Sequence, residues 1–129
     1  MTENDVSSEN KNVLITGAFG FIGSFYAKLL VREGYDVSIL DKLTYAADMG
    51  RIEDIKNNVN LYTGDICNVQ LCDEIVKKHD INIIVNMAAS THVDSSIEDS
   101  REFVKSNFEG VQVLLDICRE NDIEKYVQI

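Results

Sequence analysis

Apolar positions along the chain come in two rhythms. Short runs at Val13-Leu14-Ile15, Val37 to Leu40, Val59 to Thr63 and Ile83-Ile84-Val85 have the length of strands. Between them, apolar residues recur every three or four positions, as on one side of a helix. The first such stretch starts at Phe21, with rows Phe21/Phe25/Leu29 and Ile22/Tyr26/Leu30, and Gly34 suits the left-handed residue that ends a helix. The second strand ends at Asp41, and a loop with a short helix from about Asp48 to Asn57 leads to the third. Asn68 is placed to cap a helix reaching about His79, with Leu71, Cys72, Ile75 and Val76 inward. Ile81 to Asn86 reads as the fourth strand, and its lack of polar alternation fits a strand covered on both faces. A long helix from about Asp99 to Asn121 carries the stripe Phe103, Val104, Phe108, Val111, Leu114, Leu115 and Cys118; Lys125 to Ile129 opens a fifth strand.

Strand and helix alternating in this way predict an α/β fold: a doubly wound parallel sheet of Rossmann type with helices on both faces. Residues 1–10 are polar and acidic and read as a loose tail, and 11–129 as one incomplete domain, truncated in or just after the fifth strand. Such an ending would leave apolar surface and a sheet edge uncovered, so marginal stability or self-association is expected.

The net charge of −10 disfavours nucleic acid and anionic membranes as partners. An anionic ligand then needs a local device to hold it. Cys67, Cys72 and Cys118 fit neither a zinc nor a CxxC spacing and read as small core residues in a reducing, cytoplasmic compartment. No apolar run approaches the ~18 residues of a membrane span.

The local device is TGAFGFIG, Thr16 to Gly23, which follows a strand and opens a helix. Gly17 permits a tight turn out of the strand, Gly20 lets backbone approach a pyrophosphate, and Gly23 lets the helix pack closely. The helix start offers unpaired N–H groups and partial positive charge to the phosphates. Asp41, 18 residues beyond Gly23, is placed to accept both ribose hydroxyls and to repel a 2′-phosphate, which favours NAD over NADP. Lys42 beside it works in the opposite direction. No GKS or GKT follows the loop, which excludes the nucleoside-triphosphate reading.

TGAFGFIGS, DKLTYAAD, GDI, NMAASTHVDSSIED and FVKSNFEG, in this order, resemble the extended short-chain dehydrogenase/reductase family, and within it the nucleotide-sugar 4,6-dehydratases of the dTDP-glucose type. The resemblance covers about Asn12 to Ile129. It implies that Gly17, Gly20, Phe21, Ile22 and Gly23 line the pyrophosphate of NAD. Asp41, Lys42, Leu43 and Thr44 would hold the adenosine half, and Asp65 and Ile66 would frame the adenine. Met87, Ala88, Ala89, Ser90 and Ser106 would line the rest of the cofactor, and Thr91 would reach the nucleotide-sugar substrate. Asn107 would hold the active-site loop or a proton-relay water, or else bond to neighbouring backbone. The resemblance further implies a homodimer when full length. Family members commonly carry Glu where Ser90 stands and Arg where Ser95 stands, so the sugar side departs from the pattern.

Catalysis in that family uses a Tyr-x-x-x-Lys pair, and none occurs here: Leu30, Ile39, Met49 and Ile66 follow Tyr26, Tyr35, Tyr45 and Tyr62 at that spacing. The chain is therefore expected to be the NAD-binding part of an NDP-glucose 4,6-dehydratase, a lyase in nucleotide-sugar metabolism, and inactive by itself. A non-catalytic NAD-binding module, a partner subunit, or part of a nucleotide-sugar 4-epimerase or decarboxylase are the alternatives. His92 reads as ordering its loop, Asp94 lacks a nucleophile to complete a triad, and Glu98-Asp99 reads as a helix start. His79 reads as a surface residue favoured by a helix dipole.

Overall fold

The computed structural model describes residues 11–18, 21–42, 52–87 and 100–129, with backbone alone at 21 and 100–107. The expected tail and the first part of the expected short helix lie outside these residues. Five strands, β1 (Asn12–Thr16), β2 (Asp36–Asp41), β3 (Val59–Thr63), β4 (Ile83–Asn86) and β5 (Lys125–Gln128), alternate with α1 (Phe21–Arg32), α2 (Val69–Lys78) and α3 (Ser100–Glu120). All strand pairs are parallel, in the order β3-β2-β1-β4-β5. Val13 on β1 pairs with Val37 on one side and Ile83 on the other, so β1 is the centre of the sheet.

Successive side chains on each strand serve opposite faces, and the core divides accordingly. Val13, Ile15, Val37, Ile39 and Val85 pack with Ala27 and Leu30 of α1 and with Ile52 and Ile55. Leu14, Leu40 and Ile84 pack on the other face with Cys72, Ile75 and Val76 of α2 and Leu114 and Ile117 of α3. Burial on both sides explains the unbroken apolar run of β4.

The helix termini use local chemistry. The Asn68 side chain accepts from the Leu71 N–H at 3.1 Å, the N-cap expected from sequence. Gly34 (φ +93°) ends α1: its N–H donates to Val31 O at 3.1 Å, and the Tyr35 N–H donates to Leu30 O at 3.0 Å. Asp80 and Asp122, both at φ +54°, occupy the same position after α2 and α3, with Ile81 donating to Val76 O and Ile123 to Cys118 O, each at 3.0 Å.

Three expectations need correction. Ile22 and Phe25 do not face the sheet, being 67% and 69% exposed, while Gly23, Ser24 and Ala27 are buried; Tyr26 and Leu30, further along the row from Ile22, do pack on the core. Close approach of α1 to β1 selects the smaller residues. On α3 the inward side is Gly110, Leu114 and Ile117, and Phe108 is 71% exposed. The described part of the expected short helix is a turn followed by a single 3-10 turn, Lys56–Asn58, anchored by buried Ile52 and Ile55.

Candidate functional site

The strand order reverses between β1 and β4, and in parallel α/β sheets the carboxyl edge at such a reversal is where ligands bind. Four strand ends meet along it: Thr16-Gly17, Asp41-Lys42, Gly64-Asp65 and Asn86-Met87. The Gly17 N–H donates to Leu40 O at 3.0 Å, and the Met87 N–H donates to Thr16 O at 2.8 Å, so backbone bonds hold the edge together.

Gly17 has φ +83°, a conformation that a side chain would strain. Gly23 lies against it: a Cβ there would come within 2.5 Å of Gly17 O and 2.8 Å of Ala18 Cα. Both obstacles are backbone, so no rotamer change relieves them. Absence of a side chain at Gly23 is therefore what lets α1 begin directly against the turn, with the start of the helix at the carboxyl edge.

Asp41 closes β2, half-buried, and its carbonyl accepts from the Gly64 N–H at 2.9 Å. That bond seats the next turn, where Asp65 Oδ1 accepts from the Cys67 N–H at 2.9 Å and Oδ2 lies 3.4 Å from Lys42 Nζ. Burial by itself would raise the Asp65 carboxyl; the Cys67 amide and the Lys42 charge together outweigh it and hold the group below the usual carboxylate range. Ile66 is buried beneath α3, where a Cβ on Gly110 would come within 2.5 Å of Ile66 Cγ1.

The structure thus brings together Gly17, Gly23, Asp41, Lys42, Asp65, Ile66 and Met87 at one edge of the sheet. Phe21 and Ile22 begin α1, with Ile22 largely exposed, and Ser106 and Asn107 lie on α3. Gly20, Leu43, Thr44, Ala88, Ala89, Ser90 and Thr91 lie outside the described residues, as do Ser95, His92, Asp94 and Glu98-Asp99. Among the described residues no cluster of His, Cys, Asp and Glu could hold a metal ion, and no helix is long and apolar enough to cross a membrane.

Sequence reading missed two features of the edge and misplaced one residue nearby. Asn86, 1% exposed, carries a side-chain network between β1, β4 and β5; a polar residue closing an apolar strand was its only signal. Gly110 had no local signal, because its role depends on Ile66 far away in sequence. His79 is not a simple surface residue: it is half-buried, with Nε2 2.6 Å from Tyr62 Oη and Nδ1 3.2 Å from Asn60 Nδ2. It ties the end of α2 to the edge strand β3. A surface hollow on that flank is lined by Tyr62 and α2 side chains, and includes none of Gly17, Asp41 or Asp65.

Parallel strand order, glycine turn and the acid closing β2 define a doubly wound α/β domain of the Rossmann class. Residues 14–129 match the family model for GDP-mannose 4,6 dehydratase, and the chain belongs to that family. It is 38% identical over 125 residues to the dTDP-glucose 4,6-dehydratase of Streptomyces niveus, covering 91% of this chain and 37% of the relative. Among solved structures, the dTDP-glucose 4,6-dehydratase of Bacillus anthracis in complex with NAD superposes with a TM-score of 0.79 at 30% identity, covering 91% of this chain and 36% of that one. The UDP-glucose 4-epimerase of Thermotoga maritima with UDP-glucose gives a TM-score of 0.82 at 26% identity, covering 91% and 37%. The chain spans between 18% and 38% of the length of the curated relatives it matches.

Proposed function

We propose that these 129 residues bind NAD as the cofactor-holding part of a nucleotide-sugar 4,6-dehydratase. The observation that carries this reading is the seating of α1 against the Gly17 turn, with Asp41 at the adjacent strand end. Gly17 and Gly23 leave room for the pyrophosphate, the start of α1 supplies N–H donors, and Asp41 accepts from the adenosine ribose. Asp65 and Ile66 frame the adenine, and Met87 leads the backbone on towards the nicotinamide end. When bound, NAD supplies a hydride acceptor for the sugar; the residues described here bind and orient it.

The substrate of the whole protein is then an NDP-glucose, converted to a 4-keto-6-deoxy sugar nucleotide, with a homodimer as the working assembly and the cytoplasm as its place. Fold likeness alone supports the 4-epimerases equally well. DKLTYA and THVDSSIED favour the dehydratase. No tyrosine among these 129 residues has lysine four positions on, so this chain alone is proposed to bind without turnover. Equilibrium dialysis of NAD against the chain and its Gly23→Ala variant tests the reading: saturable binding lost in the variant supports it, and no binding by the unaltered chain overturns it.

A further inference from the structure

We propose that Asp65 is a second selector for NAD against NADP, acting by holding the Lys42 ammonium away from the ribose end of the site. The inference rests on the NAD-binding reading above and goes beyond it.

Asp41 alone does not settle the choice of dinucleotide. A carboxylate at the end of β2 repels a 2′-phosphate, but the next residue is Lys42, a mobile cation that attracts one. Lys42 Nζ lies 3.4 Å from Asp65 Oδ2, on the turn after β3. Two backbone bonds fix the position of that carboxylate. The Gly64 N–H donates to Asp41 O at 2.9 Å, and the Cys67 N–H donates to Asp65 Oδ1 at 2.9 Å. Asp65 is therefore held in place by its own turn, while Lys42 is the flexible partner drawn to it. The pair is half-exposed, so its contribution to stability is small. Its effect on a doubly charged phosphate nearby is a different matter: Asp41, Lys42 and Asp65 together carry one net negative charge, and Lys42 is already engaged.

The adenine role implied by the family resemblance remains compatible, since each carboxylate oxygen can accept more than one hydrogen bond. The two roles predict different behaviour. Loss of adenine contact weakens NAD and NADP alike, whereas release of Lys42 changes their ratio.

Calorimetric titration of NAD and NADP into the chain and into Asp65→Asn, Lys42→Met and the double variant separates them. Asn keeps an acceptor for the Cys67 N–H, so the turn is preserved. In Asp65→Asn the ratio of NADP to NAD dissociation constants is expected to fall on the order of tenfold, as one negative charge is lost and a cation released. Lys42→Met alone is expected not to lower the ratio. The double variant, again with one net negative charge, is expected to return close to the unaltered ratio. A ratio in Asp65→Asn within about twofold of the starting value overturns the proposal, as does a gain for NADP that survives in the double variant. If the unaltered chain binds neither dinucleotide, the NAD-binding reading fails first and takes this inference with it.

Discussion

Thr16 Oγ1 donates to Asn86 Oδ1 at 2.5 Å, joining the carboxyl ends of β1 and β4 where the strand order reverses. Both residues are buried. Asn86 Nδ2 in turn donates to Gln128 Oε1 at 2.9 Å and to Tyr126 Oη at 3.2 Å, and Tyr126 Oη donates to Gln128 at 2.6 Å. A chain of side-chain bonds thus runs across three strands beside the backbone ladder. It ties together the strand ends at the reversal, beside which the dinucleotide is proposed to lie.

Thr16→Val keeps the shape of the side chain and removes the donor, leaving a buried amide oxygen without it. The expected cost is about 1–3 kcal/mol in urea unfolding, with Thr16→Ser close to the unaltered protein. Equal stability of the valine and serine variants would show that the bond contributes nothing.

Gly34→Ala and Gly23→Ala separate stability from binding. At Gly34 there is open space for a Cβ, the nearest atom being Lys11 Nζ at 3.9 Å, so the penalty comes from φ +93° alone and is expected to be about 1 kcal/mol. Its folded fraction is expected to bind NAD normally. At Gly23 the added atom meets backbone on the turn itself, so binding is lost along with stability. Equal damage to binding in both variants would contradict this assignment.

What the sequence made legible follows from how local each signal is. Strand positions, the Asn68 cap and the Gly34 terminus depend on neighbours within a few residues, and the structure reproduces them. Helix phase was harder. In α1 and α3 apolar residues occupy more than one side, and only contact with the sheet decides between Phe108 and Ile117. The ends of α2 and α3 were placed nearly correctly, yet the left-handed residues proved to be Asp80 and Asp122, where glycine is the usual signal. Of the site, the glycine turn and Asp41 were readable because their chemistry is carried by spacing along the chain. The Lys42–Asp65 pair, the Asn86 network and the Gly110–Ile66 contact join residues distant in sequence, so only the folded chain shows them.

Asp65 provides a test by pH. Its folded-state value lies below the unfolded carboxylate value of about 3.9, so the stability it contributes is present above that value and fades as pH falls through the folded one. A carboxyl-carbon NMR titration is expected to find the Asp65 midpoint below the usual carboxylate range and to see it move upward in Lys42→Met. A midpoint insensitive to that substitution would mean the ion pair does not persist in solution.

Cys72 tests the packing beneath the same turn. Burial pushes its thiol up to about 12, and Sγ donates to Ile66 O at 3.4 Å. At pH 8 with iodoacetamide, Cys72 is expected to react only as fast as the domain unfolds. Labelling of Cys72 at the rate of an exposed thiol, without denaturant, would place it outside the core.

The most direct measurement is a thermal melt of the chain without ligand, with NAD and with NADP. A ligand at about 100 times its dissociation constant adds roughly 2.7 kcal/mol when it binds the folded state alone. A clear rise in melting temperature is expected with NAD, and a much smaller one with NADP at the same concentration. No rise with NAD, or an equal rise with both, would contradict the proposal that the Gly17 turn and Asp41 form a working NAD site.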